Sequence, residues 1–243
     1  MKNLWFSITS HYRLIKDIGD ISYLINLFVN KIWVNRIELW YFDETNIKMF
    51  HDAYISNQKI LSKKWLNVNL HLPMKNRELI WITNILNYVN ELSEVVDIKN
   101  LIVHIDEYIK YASIIKKTGI NIIVENPHLE KIPVFEDTDI NDYICCDINN
   151  FYDNHIYDYN ALNKFLLRYK KKIKEIHFSY QNHDIFDQTN ISFLQNILIN
   201  NFKDIDFDDI IFIFEWTDKN WNSLDVLKKS LINNYNILCF LPL

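Results

Sequence analysis

A chain of 243 residues that is 49% hydrophobic can bury one substantial core, enough for one α/β barrel over residues 1–243 without a second domain. Its formal net charge of -5 and its four arginines give no broad basic footprint, which argues against clamping a nucleic-acid backbone, and no stretch approaches the roughly 20 apolar residues that span a bilayer. Three cysteines, two of them adjacent, suit a reducing compartment such as the cytoplasm better than a disulfide framework, and the start of the chain lacks the apolar core and cleavage site of a secretory signal.

Taken in chain order, short β-rich runs alternate with longer segments of helical spacing. "LWFSIT" (4–9) comes first, and "YLINLFVNKIW" (23–33) places apolar residues at helical intervals before "RIELWYF" (36–42) and "WLNVNLH" (65–71). "RELIWITNILNYVNEL" (77–92) predicts a helix, followed by "NLIVHID" (100–106), the helix "DEYIKYASIIKK" (106–117) and "INIIVEN" (120–126). Then come "YICCD" (143–147), the helix "YNALNKFLLRYKKK" (159–172), "IKEIHFS" (173–179), the helix "ISFLQNILINNF" (191–202), "IIFIFEW" (210–216) and a last helix, "NSLDVLKKSLINNY" (222–235). Near-continuous apolar strands are those of a parallel sheet covered by helices, and eight such units in a chain of this length predict a closed (β/α)8 TIM barrel. An open doubly wound sheet is the alternative, but it would need no eighth strand, and the Gly-rich first turn usual in that fold is missing. With only two glycines in the chain, asparagine, which also tolerates positive φ, takes over the turns.

In a barrel the functional groups project from the C-terminal ends of the strands. There the third to eighth runs carry His71, His104, Glu125, Asp147, His177 and Glu215. Singly, a histidine at a strand end is more often a hydrogen-bonded structural residue, and an acidic one often caps the next helix. Jointly, carboxylates facing each other across a narrow mouth repel, and the simplest compensation is a bound cation. Imidazole and carboxylate donors suit iron, manganese or zinc, and Glu125, central among the six, has two oxygens with which to bridge two ions. Cys145 shares the inward face with Asp147 by strand alternation and is read as a core thiol.

The order Glu, Asp, His, Glu on the last four strands resembles the xylose-isomerase-like barrels, which include sugar epimerases and the metal-dependent endonuclease IV. The finer run of motifs, "VENP", "CDINNFYDNH", "EIHFS" and "FEWTD", resembles the multinuclear non-haem iron-dependent oxidases of the methanobactin-biosynthesis type, densely over residues 120–218. That resemblance implies two irons, one held by His71, His104 and Glu125 and its neighbour by Glu125, Asp147, His177 and Glu215. It places Asn150 and Asp187 near a third iron, where "DQT" puts Thr189 in the position of a family histidine and "QNHD" leaves His183 or Asp184 as substitutes. It further implies dioxygen as co-substrate, a cysteine-containing ribosomally made precursor peptide as substrate and a companion protein that presents it. The competing expectations are a one-ion sugar isomerase or epimerase using Glu125 and Glu215, an abasic-site nuclease with zinc, and a barrel that binds a peptide or metal without catalysis.

Overall fold

The structure, a computed structural model, describes residues 4–7, 15–31, 34–41, 46–72, 78–153, 156–179 and 211–215, with the backbone alone at 4–6, 152–153, 156–157, 178–179, 211–212 and 214–215. The eight expected barrel strands are β1 (Leu4–Ser7), β2 (Arg36–Trp40), β3 (Asn67–His71), β4 (Ile98–His104), β5 (Asn121–Glu125), β6 (Tyr143–Asp147), β9 (Ile173–Ser179) and β10 (Ile211–Glu215). They close in the order β1-β10-β9-β6-β5-β4-β3-β2, and every pairing is parallel. A two-residue-per-strand hairpin of β7 (Tyr152–Asp153) and β8 (Ile156–Tyr157) follows β6, an addition the apolar pattern does not announce.

Helices α1 (Ile18–Asn26), α4 (Leu79–Ser93), α5 (Ile105–Ile115) and α7 (Tyr159–Tyr169) form where helical spacing predicts them, and α1 runs on into a π-helical turn at Leu27–Lys31. Asp17 and Asp158 start α1 and α7 by accepting the N–H groups of Asp20 and Ala161, bonds of 3.1 and 2.9 Å that satisfy donors left over at a helix start. Between β2 and β3 lie α2 (Ile47–Ser56) and the short α3 (Gln58–Leu61), and α6 (Ile132–Asp137) precedes β6. The two last expected helices, 191–202 and 222–235, lie outside the described residues. Gly119 ends the turn after α5 at φ +71°, where a side chain would be strained. Among the described residues no helix is long and apolar enough to cross a membrane.

Strand alternation divides the interior. Leu39, Leu70, Val103, Val124, Cys146 and Ile176 point outward and join the large apolar cluster under the helices. Their neighbours point into the barrel. There Ile102, Ile123 and Cys145 form a second apolar cluster, separate from the first. Cys145 thus belongs to a core, as its position in the strand suggests, but to the inner one.

Candidate metal centre

Among the described residues, four of the six strand-end groups converge at the mouth. His71 Nε2 lies 2.8 Å from Glu125 Oε2, His104 Nδ1 3.5 Å from Glu125 Oε1, and His177 Nδ1 3.8 Å from Glu125 Oε2. The His71 ring centroid is 5.0 Å from that of His104 and 5.7 Å from that of His177, and Trp40 packs on the other side of His71 at 4.4 Å. Glu125, His71 and His177 are buried to within 2% of complete. Register explains the meeting: His104 pairs with Glu125 across β4 and β5, and Glu125 with Cys145 across β5 and β6.

The donor set fits a divalent cation. His71 Nδ1 lies 2.8 Å from the carbonyl oxygen of Leu72, which can only accept, so Nδ1 carries the proton and Nε2 is the nitrogen turned to Glu125. Burial opposes charge on His71, yet its hydrogen bond to Glu125 and the negative charges of Glu125 and Glu38 raise it to about 9. A second proton therefore sits where an ion would bind. Burial outweighs the same carboxylate at His104 and lowers it to about 4. His104 occupies the start of α5 without making a capping bond, and its Nε2 is buried with no hydrogen-bond partner among the described residues. This disfavours the plain reading of His104 as a hydrogen-bonded structural residue. Burial would raise Glu125, but His104, His71 and His177 hold its carboxyl well below the usual carboxylate range.

Three sets of donor atoms, each set within 4.8 Å, can be drawn among the described residues: His71, His104 and Glu125; Glu125, Cys145 and His177; and Glu38, Glu175 and His177. Glu125 and His177 are each shared by two sets. The arrangement has the chemistry of a metal site.

Asp147 is not in any of these sets. It stands in register with His177, but its Oδ1 accepts the Asn149 N–H at 2.9 Å, and its own N–H donates to Asn126 Oδ1 at 2.7 Å. Asn150 Nδ2 donates to the Asn126 carbonyl at 2.7 Å, so the asparagines after β5 and β6 lace the two strand ends together. Glu215 ends β10 in register with Ser179, and its side chain lies outside the described residues, as do His183, Asp184, Asp187 and Thr189. Beside the centre, His104, Asp106, Glu107, Asn126, His128 and Lys131 are among the residues that line a cleft of about 70 Å³.

Sequence reasoning missed Glu38 and Glu175, both fully buried inside the barrel. Neither ends a run, so inspecting only strand ends passes over them. The available signal was a charged residue at an inward position of an otherwise apolar strand.

No protein-family model matches the chain, and no curated protein is similar to it in sequence. Solved structures are similar in fold. Apo 3-keto-D-glucoside 4-epimerase YcjR from E. coli matches with a TM-score of 0.59 at 10% identity, covering 96% of this chain and 99% of that one. D-psicose 3-epimerase with D-fructose matches with a TM-score of 0.60 at 11% identity, covering 97% and 99%. A tryptophan synthase α-subunit variant from Pyrococcus furiosus matches with a TM-score of 0.54 at 11% identity, covering 97% and 98%. The fold is thus a TIM barrel like those of these two epimerases and the tryptophan synthase α-subunit.

Proposed function

We propose that this protein is a metal-dependent enzyme of the TIM-barrel class, and specifically a multinuclear non-haem iron-dependent oxidase that uses dioxygen to modify a cysteine-containing, ribosomally made peptide. The observation that carries the reading is the sharing of Glu125 between two sets of donor atoms, one with His71 and His104 and one with Cys145 and His177. A bridging carboxylate of this kind serves a cluster of ions rather than one. His71, His104 and Glu125 would hold one iron; Glu125 and His177, flanked by Asp147 and Glu215, would hold its neighbour. Asn150, His183, Asp184 and Asp187 are the residues around which a third would form. Iron in such a centre supplies one-electron chemistry with dioxygen and an acceptor for a substrate thiolate. The chain's own groups would orient the cluster: the Leu72 carbonyl fixes the His71 ring, and Glu125 would be the ligand common to both irons. A companion protein would present the peptide, and the acidic chain would need no nucleic-acid partner.

A one-ion sugar epimerase is the second reading, favoured by the fold shared with two sugar epimerases. It gives His71 and His104 no metal to hold. Metal analysis after anaerobic reconstitution with ferrous iron separates the two: two or three irons per chain support the oxidase, and a single manganese or cobalt supports the epimerase. Within the oxidase reading, Glu125→Gln should remove more metal than His71→Ala, because the carboxylate serves two ions and the imidazole one. Equal losses from the two variants would sink the bridging role.

A further inference from the structure

Beneath the mouth, two carboxylates that no strand-end pattern selects close on one imidazole. His177 Nε2 lies 2.7 Å from Glu175 Oε1 and 3.4 Å from Glu38 Oε2. The outer oxygen of each carboxylate is already held: Trp40 Nε1 donates to Glu38 Oε1 at 2.6 Å, and Asn69 Nδ2 donates to Glu175 Oε2 at 2.7 Å. Asn69 is in turn fixed by Asn100 Nδ2, which donates to its Oδ1 at 2.9 Å. Each carboxylate is therefore locked with its remaining oxygen aimed at the same ring nitrogen. β3 and β9 are not neighbours in the barrel, so the bond from Asn69 to Glu175 crosses the interior as a strut.

A carboxylate oxygen accepts, so Glu175 Oε1 takes the proton of Nε2, while Glu38 Oε2, at 3.4 Å and without a hydrogen bond of its own among the described residues, adds negative charge beside it. The proton is then fixed on Nε2, and Nδ1, 3.8 Å from Glu125 Oε2, is left with the lone pair. We infer that Glu175, assisted by Glu38, is a positioning residue: it sets the tautomer and tilt of His177 so that Nδ1, not Nε2, is the atom presented to the second ion. This rests on the reading of His177 as a ligand, and it adds the ligating atom and the groups that choose it. Partners of this kind, hydrogen-bonded to the far nitrogen of a ligand histidine, orient the ring and raise its basicity, and their loss typically costs ~10–100-fold in metal affinity.

The test uses the full chain labelled with ¹⁵N-histidine, with His177→Gln identifying the resonance and zinc as the probe ion. The expected spectrum of the zinc-loaded protein shows Nδ1 of His177 shifted by metal and Nε2 bearing a proton. Zinc titration of Glu175→Ala should show the affinity of the second site lowered by ~10–100-fold. Glu175→Gln, whose amide oxygen still accepts from Nε2–H, should recover most of it. Zinc on Nε2, an ion lodged between Glu38 and Glu175, or an unchanged affinity in Glu175→Ala each overturns the assignment. If Glu175→Ala does not fold, Asn69→Ala releases the same carboxylate and is read the same way. If the wild type takes up no zinc, the metal reading fails instead, and the metal-free spectrum still decides: a proton on Nε2 alone upholds the positioning role, and one on Nδ1 alone overturns it.

Discussion

The two sides of the barrel interior are equally dry and are held together differently. On the side of β4, β5 and β6, Ile102, Ile123 and Cys145 pack on one another at no more than 1% exposure. Flanking them on both sides, β2, β3 and β9 contribute Glu38, Asn69, Glu175 and His177, which are no more exposed. The first side is stabilised by the apolar area it removes from water and tolerates exchange of one aliphatic group for another of similar volume. The second gains little from burial, since charges taken out of water cost several kcal/mol each unless every partner is supplied. Its stability depends on the partners supplied: Trp40, Asn69 and Asn100 occupy the outer atoms and His177 the inner oxygen of Glu175, while the inner oxygen of Glu38 has no hydrogen bond among the described residues. An arrangement that expensive is expected where a site has to be held in one geometry.

If the two sides differ in this way, substitutions should separate stability from metal binding. The largest effect on stability is expected from Ile123→Ala, which opens a cavity in the apolar side. Denaturant unfolding should show a loss of about 2–5 kcal/mol, while the number of ions bound stays that of the wild type. A changed ion count would mean that the apolar side also shapes the centre. Asn69→Ala should cost less, about 1–3 kcal/mol, since it leaves one buried oxygen of Glu175 without its donor. Unlike the isoleucine change it should also weaken zinc binding. Stability lost with zinc affinity intact would make the strut purely structural.

The remaining effect concerns pH. In the chelator-treated protein, His71 is raised from 6.5 to about 9: burial works against its charge, and the hydrogen bond and charge of Glu125, with Glu38, outweigh it. A raised imidazole stabilises the fold fully below its unfolded value, and that contribution is lost as pH rises from about 6.5 through about 9. Thermal unfolding across that window should show the decline, and His71→Gln should flatten it. Zinc should flatten it as well, because the ion displaces the proton on binding. A decline that persists unchanged in His71→Gln would assign it to another group.

All eight barrel strands stand where apolar runs are bounded by polar residues, and α1, α4, α5 and α7 where spacing is helical, because both features are local properties of the chain. The convergence of His71, His104, Glu125 and His177 was legible as well. Each ends an apolar run or stands close to its end, and a parallel barrel brings such ends to one mouth. The hairpin after β6 and the interior carboxylates were not legible in the same way: the hairpin carries no apolar run of its own, and Glu38 and Glu175 stand inside their runs rather than at the ends.

By itself, the sequence determined parity: in "RIELWYF" and "IKEIHFS", Glu38 and Glu175 must share a face with Trp40 and His177. Only the tertiary structure decided which inward groups meet. Closing the sheet brings Asn69 within 2.7 Å of Glu175, 106 residues further along the chain. It also turned Asp147 toward the turn at Asn149 while Glu125, one strand away, gathered three histidines. The reason is geometric. Alternation is set residue by residue along one strand, whereas the stagger between strands that places one side chain opposite another exists only once the barrel is closed.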